Sequence, residues 1–154
     1  MSFMQPRTKA LTAALMASPE DTEQQFYEAL QTADLERLMS VWAEEEEVSC
    51  VHPGGPRVVG LGAIRIAFAS VFSQGSIAVN PERVRRLQTH DTAVHQVLER
   101  VQIRSADGQA QSAWVIATNV YLKTALGWRM VVHHASPGTA HDVQEVGEEP
   151  ATLH

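Results

Sequence analysis

Between Ser18 and Trp42 the apolar positions fall three and four residues apart. Phe26, Leu30 and Ala33 share one face with Tyr27 alongside, and Leu35, Leu38, Met39 and Trp42 repeat the spacing after a break at 32–34. This is the period of two amphipathic helices in a hairpin. Ser18-Pro19-Glu20-Asp21 supplies the start signal for the first: a capping hydroxyl, proline at the first helical position and acids in the first turn. The acids Glu44 to Glu47 end the second helix and open a solvated connection. Val48 to His52 then alternates as a short strand that runs into the turn residues Pro53-Gly54-Gly55-Pro56. Leu61, Ile64, Phe68 and Phe72 restore the helical period and predict a third helix from Gly60 to about Ser73.

From Ile77 the period becomes two. Residues 77–87, 93–104, 110–123 and 128–135 are rich in β-branched and aromatic side chains and alternate in part. The gaps between them are short, and the second contains Asp107-Gly108, a strong hairpin signal. The order helix, helix, short strand, helix, four long strands predicts an α+β fold in which the helices cover one face of a curved antiparallel sheet. Val94, Val97, Val101, Val115, Ile116, Val120, Val131 and Val132 place apolar groups on both sheet faces. Three short helices can cover only one of them, so the other face calls for a second copy of the chain.

Length and charge narrow the picture further. The 154 residues suit one domain, read as a leader at 1–19 that is loosely attached or helical, a body at 20–137 and an acidic, frayed tail at 138–154. The net charge is −6, and four of the eighteen acids fall after residue 140, leaving −2 on the rest. Neither nucleic acid nor an anionic membrane is expected as a partner, because both want a basic face. No apolar run is long enough for a membrane span, and a single cysteine excludes an intrachain disulfide framework; a cytoplasmic protein is the expectation.

Candidate chemistry gathers at few positions. Gly54-Gly55 and Gly60-x-Gly62 lack the remaining residues of a phosphate loop or a dinucleotide fingerprint. His52 closes the first strand before Pro53, His133 and His134 close the last, and Asn119 lies in the strand between Ala110 and Lys123. A histidine titrates near neutral pH and can serve as a general base. Adjacent strand residues face opposite ways, so only one of His133 and His134 can point inward. In simple alternation His134 goes with Trp128 and Met130, and His133 with Arg129 and Val131, which leaves the choice open. These residues supply two metal ligands at best, so neither a metal nor another cofactor is expected. Cys50 shares a strand face with His52, but such positions lie roughly 6–7 Å apart, beyond the reach of a nucleophile pair, so a buried thiol is expected. Phe26, Trp42, Phe68, Tyr121 and Trp128, together with Thr118, are candidates to line a small cavity.

The stretches Phe26-Tyr27-Glu28-Ala29-Leu30, Val51-His52-Pro53-Gly54-Gly55, Gly60-Leu61-Gly62-Ala63-Ile64, Thr118-Asn119-Val120-Tyr121 and Gly127-Trp128 through Ser136 together resemble the SnoaL-like branch of the nuclear-transport-factor-like superfamily, which includes ketosteroid isomerase. The resemblance spans about residues 20–137. It implies a cone in which a strongly curved, mixed but mainly antiparallel sheet wraps three N-terminal helices around a pocket, and a homodimer formed through the outer sheet face. It also implies that His52 occupies the general-base position, that Phe26 stands where a pocket tyrosine would be, and that Thr118 or Asn119 stands where a second hydrogen-bond donor would be. The resulting expectation is a homodimeric domain that binds a small apolar or partly polar molecule. The alternatives are an isomerase, dehydratase, cyclase or hydrolase using His52 with Asn119 and one of His133 or His134, and a non-catalytic interaction module.

Overall fold

In the computed structural model, which describes residues 14–104, 107–139 and 145–147, Ser18 opens helix α1 (Pro19–Thr32) by accepting from the Asp21 amide at 3.1 Å. The helix stops at Ala33, whose φ of 52° and ψ of 42° are left-handed. Asp34 then caps α2 (Leu35–Ser40) through the Arg37 amide. The second helix is shorter than its apolar spacing predicts. Trp42 lies past its end, in a parallel bridge to Met130, and the chain on either side is tied there by Met130 N–H to Val41 and Ala43 N–H to Met130. Sheet pairing has taken these backbone groups from the helix.

Strand β1 (Ser49–Val51) turns through the proline-glycine segment into β2 (Arg57–Val59), and α3 (Leu61–Phe72) follows. β2 was not expected as a strand; it is three residues long, and its sequence neighbours read only as a turn. The four long strands are β3 (Val79–Gln88), β4 (Thr92–Arg104), β5 (Ala110–Thr124) and β6 (Gly127–Gly138). They form one sheet in the order β2-β1-β6-β5-β4-β3. All neighbours are antiparallel except β1 and β6, where Cys50 lies opposite His133. The mixed sheet and three helices form the α+β arrangement that the resemblance implies.

Odd-numbered residues of β4 and β5 face the helices. Ala93, Val97, Val115, Ala117 and Tyr121 are buried there against Phe26, Tyr27, Ala29 and Leu30 of α1. The leader is anchored at its end: Met16 is buried and its carbonyl accepts from the Trp128 amide at 2.8 Å. Residues 1–13 and most of the acidic tail lie outside the described residues. No described helix is long and apolar enough to cross a membrane.

Simple alternation fails in β6 because of a bulge. Val120 pairs with Val132 and Tyr121 with Met130, so Val131 is an extra residue with no partner. Trp128 and Met130 face inward before it, and His133 and Ala135 face inward after it. His133 is therefore the interior histidine and His134 is exposed. The grouping of His134 with Met130 on one face is corrected by this inserted residue.

Candidate functional site

One row across the sheet's inner face holds His95 on β4, Asn119 on β5, His133 on β6 and Cys50 on β1. Three of these are buried polar side chains, which requires hydrogen-bond partners. Asn119 Oδ1 lies 2.6 Å from His133 Nδ1; a carbonyl oxygen only accepts, so Nδ1 carries the proton and Nε2 bears the lone pair. Asn119 Nδ2 donates to the Tyr27 hydroxyl at 2.9 Å, and that hydroxyl donates to Glu99 Oε2 at 2.7 Å. The donors all point one way, from His133 through Asn119 and Tyr27 to the carboxylate of Glu99. Beside this chain, His95 Nδ1 meets Glu23 Oε2 at 2.6 Å and Arg86 reaches the other Glu23 oxygen at 3.4 Å.

The chain ends at a cavity of about 240 Å³ between α3 and the sheet. Its wall is apolar, built from Leu30, Phe68, Val71, Ile77, Val79 and Val115, and its polar end is Glu99, His133 and His52. Burial pushes the Glu99 carboxyl up to about 7, against the bond from Tyr27 that favours its charged form. Burial, with the neighbouring His52 and His134, pushes His133 down to about 3, so it is neutral. His52 is also lowered by burial, and its ring meets Phe68 edge to face at 4.8 Å. Burial and then Glu99 raise the Cys50 thiol to about 12. Its Sγ lies 3.9 Å from His52 Nε2, closer than strand spacing suggests, but a thiol so hard to ionise is no nucleophile.

Of the residues singled out in the sequence, His52, His133 and Phe68 line this cavity and Asn119 orients His133 from behind. Phe26 is buried just beneath, with its ring 6.3 Å from Phe68 and 4.9 Å from His133. Trp42, Tyr121 and Trp128 belong to the core away from the cavity. Thr118 pairs with Gln96 and His134 on the even-numbered, outer face of the sheet. Two site residues were missed. Tyr27, one position beyond Phe26, brings a hydroxyl into the network from the first helix. The other is Glu99, which lies in phase with the buried Ala93 and Val97 of β4. No group of three or more His, Cys, Asp or Glu among the described residues could hold a metal ion.

The SnoaL-like domain profile matches residues 20–140, the helices and sheet that build this cavity. The chain belongs to the SnoaL-like domain family. Solved structures agree with that assignment. A Thiobacillus denitrificans protein named for the calcium/calmodulin-dependent protein kinase type II association domain is 33% identical, with a TM-score of 0.73 over 80% of this chain and 98% of its own. A Streptomyces avermitilis protein of the NTF2-like family, named for a dehydratase, is 30% identical with a TM-score of 0.69, covering 88% of this chain and all 100% of that one. At 19% identity and a TM-score of 0.64, a ketosteroid isomerase-like protein from Erwinia carotovora atroseptica shares the fold over 81% of this chain and 97% of its own. No curated protein matches the chain in sequence. The names of these similar structures thus range from a dehydratase to an association domain.

Proposed function

We propose that this SnoaL-like domain binds a small molecule in the cavity beneath α3 and exchanges a proton with it through Glu99, flanked by His52 and His133. One observation carries the reading: the buried Glu99 carboxyl, held in place by Tyr27 and pushed up to about 7 by burial, lines an otherwise largely apolar cavity. A group poised there gives and takes a proton near neutral pH with little penalty in either direction. The chain from His133 to Glu99 fixes the carboxylate in place, so a ligand meets a group already oriented. His52, neutral and at the same end, is a second proton acceptor and keeps the general-base assignment open to test. Isomerisation, dehydration, cyclisation and hydrolysis all fit a single acid–base group of this kind. NMR of protein labelled at the glutamate carboxyls should show one resonance titrating near 7 that disappears in Glu99→Gln. If all glutamates titrate in the ordinary range, the reading fails.

The outer sheet face carries a second inference. Val94, Val120 and Val132 line up in one row, and Leu98 faces Ile116 two rows on, past Gln96, Thr118 and His134; these apolar residues are all partly exposed, with Trp114 in the row beyond. We infer that two copies of the domain pack through this face, and the association-domain name of one relative is consistent with self-association. Light scattering at low micromolar concentration should give twice the 16.9 kDa chain mass. A persistent single-chain mass would rule the dimer out.

A further inference from the structure

The polar end of the cavity is rich in acceptors. Tyr27 occupies Glu99 Oε2, and Oε1 has no hydrogen-bond partner among the described residues. His133 commits its only proton to Asn119, so its Nε2 offers a lone pair. His52 contributes one donor and one acceptor as a neutral ring. No lysine or arginine among the described residues lines the cavity. A ligand that brings only acceptors, such as a carboxylate or phosphate, would face the Glu99 carboxylate and the His133 lone pair without a cation to receive it. A ligand that brings donors satisfies both groups, and one that also brings a positive charge neutralises Glu99 in a place where an unpaired charge is costly.

Size sets the second condition. A dry apolar cavity of about 150 Å³ admits benzene, and this one is about 240 Å³. It accommodates one ring with a short substituent.

We propose that the cavity is a site for a small primary ammonium ligand of one ring or equivalent bulk, its nitrogen at Glu99 Oε1 and its apolar body against Phe68, Val71 and Val115. The proposal rests on the reading of Glu99 as the cavity's titrating group. The ionisable groups around that carboxylate are Tyr27 from α1, Cys50 from β1, His52 after β1, Tyr121 from β5 and His133 from β6. The tyrosines and the thiol are raised and stay neutral between pH 6 and 8, and His133 is neutral there as well. Any protonation of His52 at the acid end of that range acts in the same direction as Glu99, against a cation.

The test is calorimetry on the full chain with benzylamine, benzyl alcohol and benzoate, three probes of one size and different charge. Benzylamine should bind at least about tenfold more tightly than either of the others. Its affinity should rise about tenfold from pH 6 to pH 8, as the ionised share of a carboxyl titrating at about 7 grows from about a tenth to about nine-tenths. Glu99→Gln should abolish both the preference and the pH dependence. The wild-type pH profile is an independent readout should that variant fold poorly. Benzyl alcohol binding as tightly as benzylamine, or no binding by benzylamine while Glu99 still titrates near 7, overturns the ammonium proposal and leaves the proton-exchange reading standing. Glu99 titrating as an ordinary glutamate overturns both.

Discussion

The hydroxyl of Tyr27 accepts from Asn119 and donates to Glu99, whereas the Tyr121 hydroxyl is buried beside the His95 ring, close to Asn119 but without a well-formed hydrogen bond among the described residues. Two buried phenols therefore differ in what their removal leaves behind. Tyr27→Phe strands an amide and a carboxyl and should cost about 1–3 kcal/mol. It should also raise the Glu99 titration further, because the bond that favours the charged form is lost. Tyr121→Phe deletes a hydroxyl that has been desolvated without a well-formed bond, so stability should stay within about 0.5 kcal/mol of the parent or rise. Paired urea melts of the two variants check the contrast; equal losses would mean that Tyr121 is bonded as well as Tyr27. Histidines and asparagine announce themselves in the sequence, but Glu99 does not. Val94 and Leu98 on the even positions are as apolar as Val97 and Val101 on the odd ones, so alternation in β4 cannot tell which face carries the acid.

At the scale of elements, the starts of α1 and α2 rest on local chemistry: the Ser18-Pro19 start, readable in the sequence, and the Asp34 cap need nothing from the rest of the fold. Ala33 is less comfortable. Its left-handed conformation ends α1 while its amide donates to the Leu30 carbonyl, and a β-carbon is disfavoured there. Ala33→Gly should stabilise the domain by about 0.5–1 kcal/mol, seen as a higher urea midpoint with an unchanged slope. A lower midpoint would show that the glycine's added freedom in the unfolded chain outweighs the relief. The strands were readable as strands, but the faces of β6 were not. Their assignment depends on Val131, an extra residue opposite a regular partner, and nothing in a run of valines and histidines marks which one has no mate. The short β2 escaped for a related reason: its pairing with β1 is tertiary information carried by only three residues.

For the whole molecule, acid–base behaviour follows from two buried groups shifted in opposite directions. Glu99 moves from 4.5 to about 7, so its contribution is fully present below 4.5 and is lost as pH rises through 7. His133 moves from 6.5 to about 3, so its contribution is present above 6.5 and is lost as pH falls toward 3. Between 4.5 and 6.5 the two slopes, each about 1.4 kcal/mol per pH unit, oppose each other. The parent should therefore be nearly flat in that window, Glu99→Gln should gain stability with rising pH, and His133→Asn should lose it. Parallel slopes in the two variants would contradict the assignment. The tail meets the body through Arg85 and Glu145 at 2.9 Å, both well exposed, and such a pair contributes little. Truncation after Thr139 should change stability by less than about 1 kcal/mol; a larger loss would show that the tail docks. The parallel pairing of β1 with β6 bears on the order of assembly. Residues 49–51 wait for residues 132–134 before they join the sheet, so His52 and His133 come together only after almost the whole domain has been made. A nascent chain stopped before β6 holds the β1–β2 hairpin with no sheet to join and an open β5 edge, and it has no binding site to offer. Ligand that stabilises the finished domain can act only on chains whose last strand has docked.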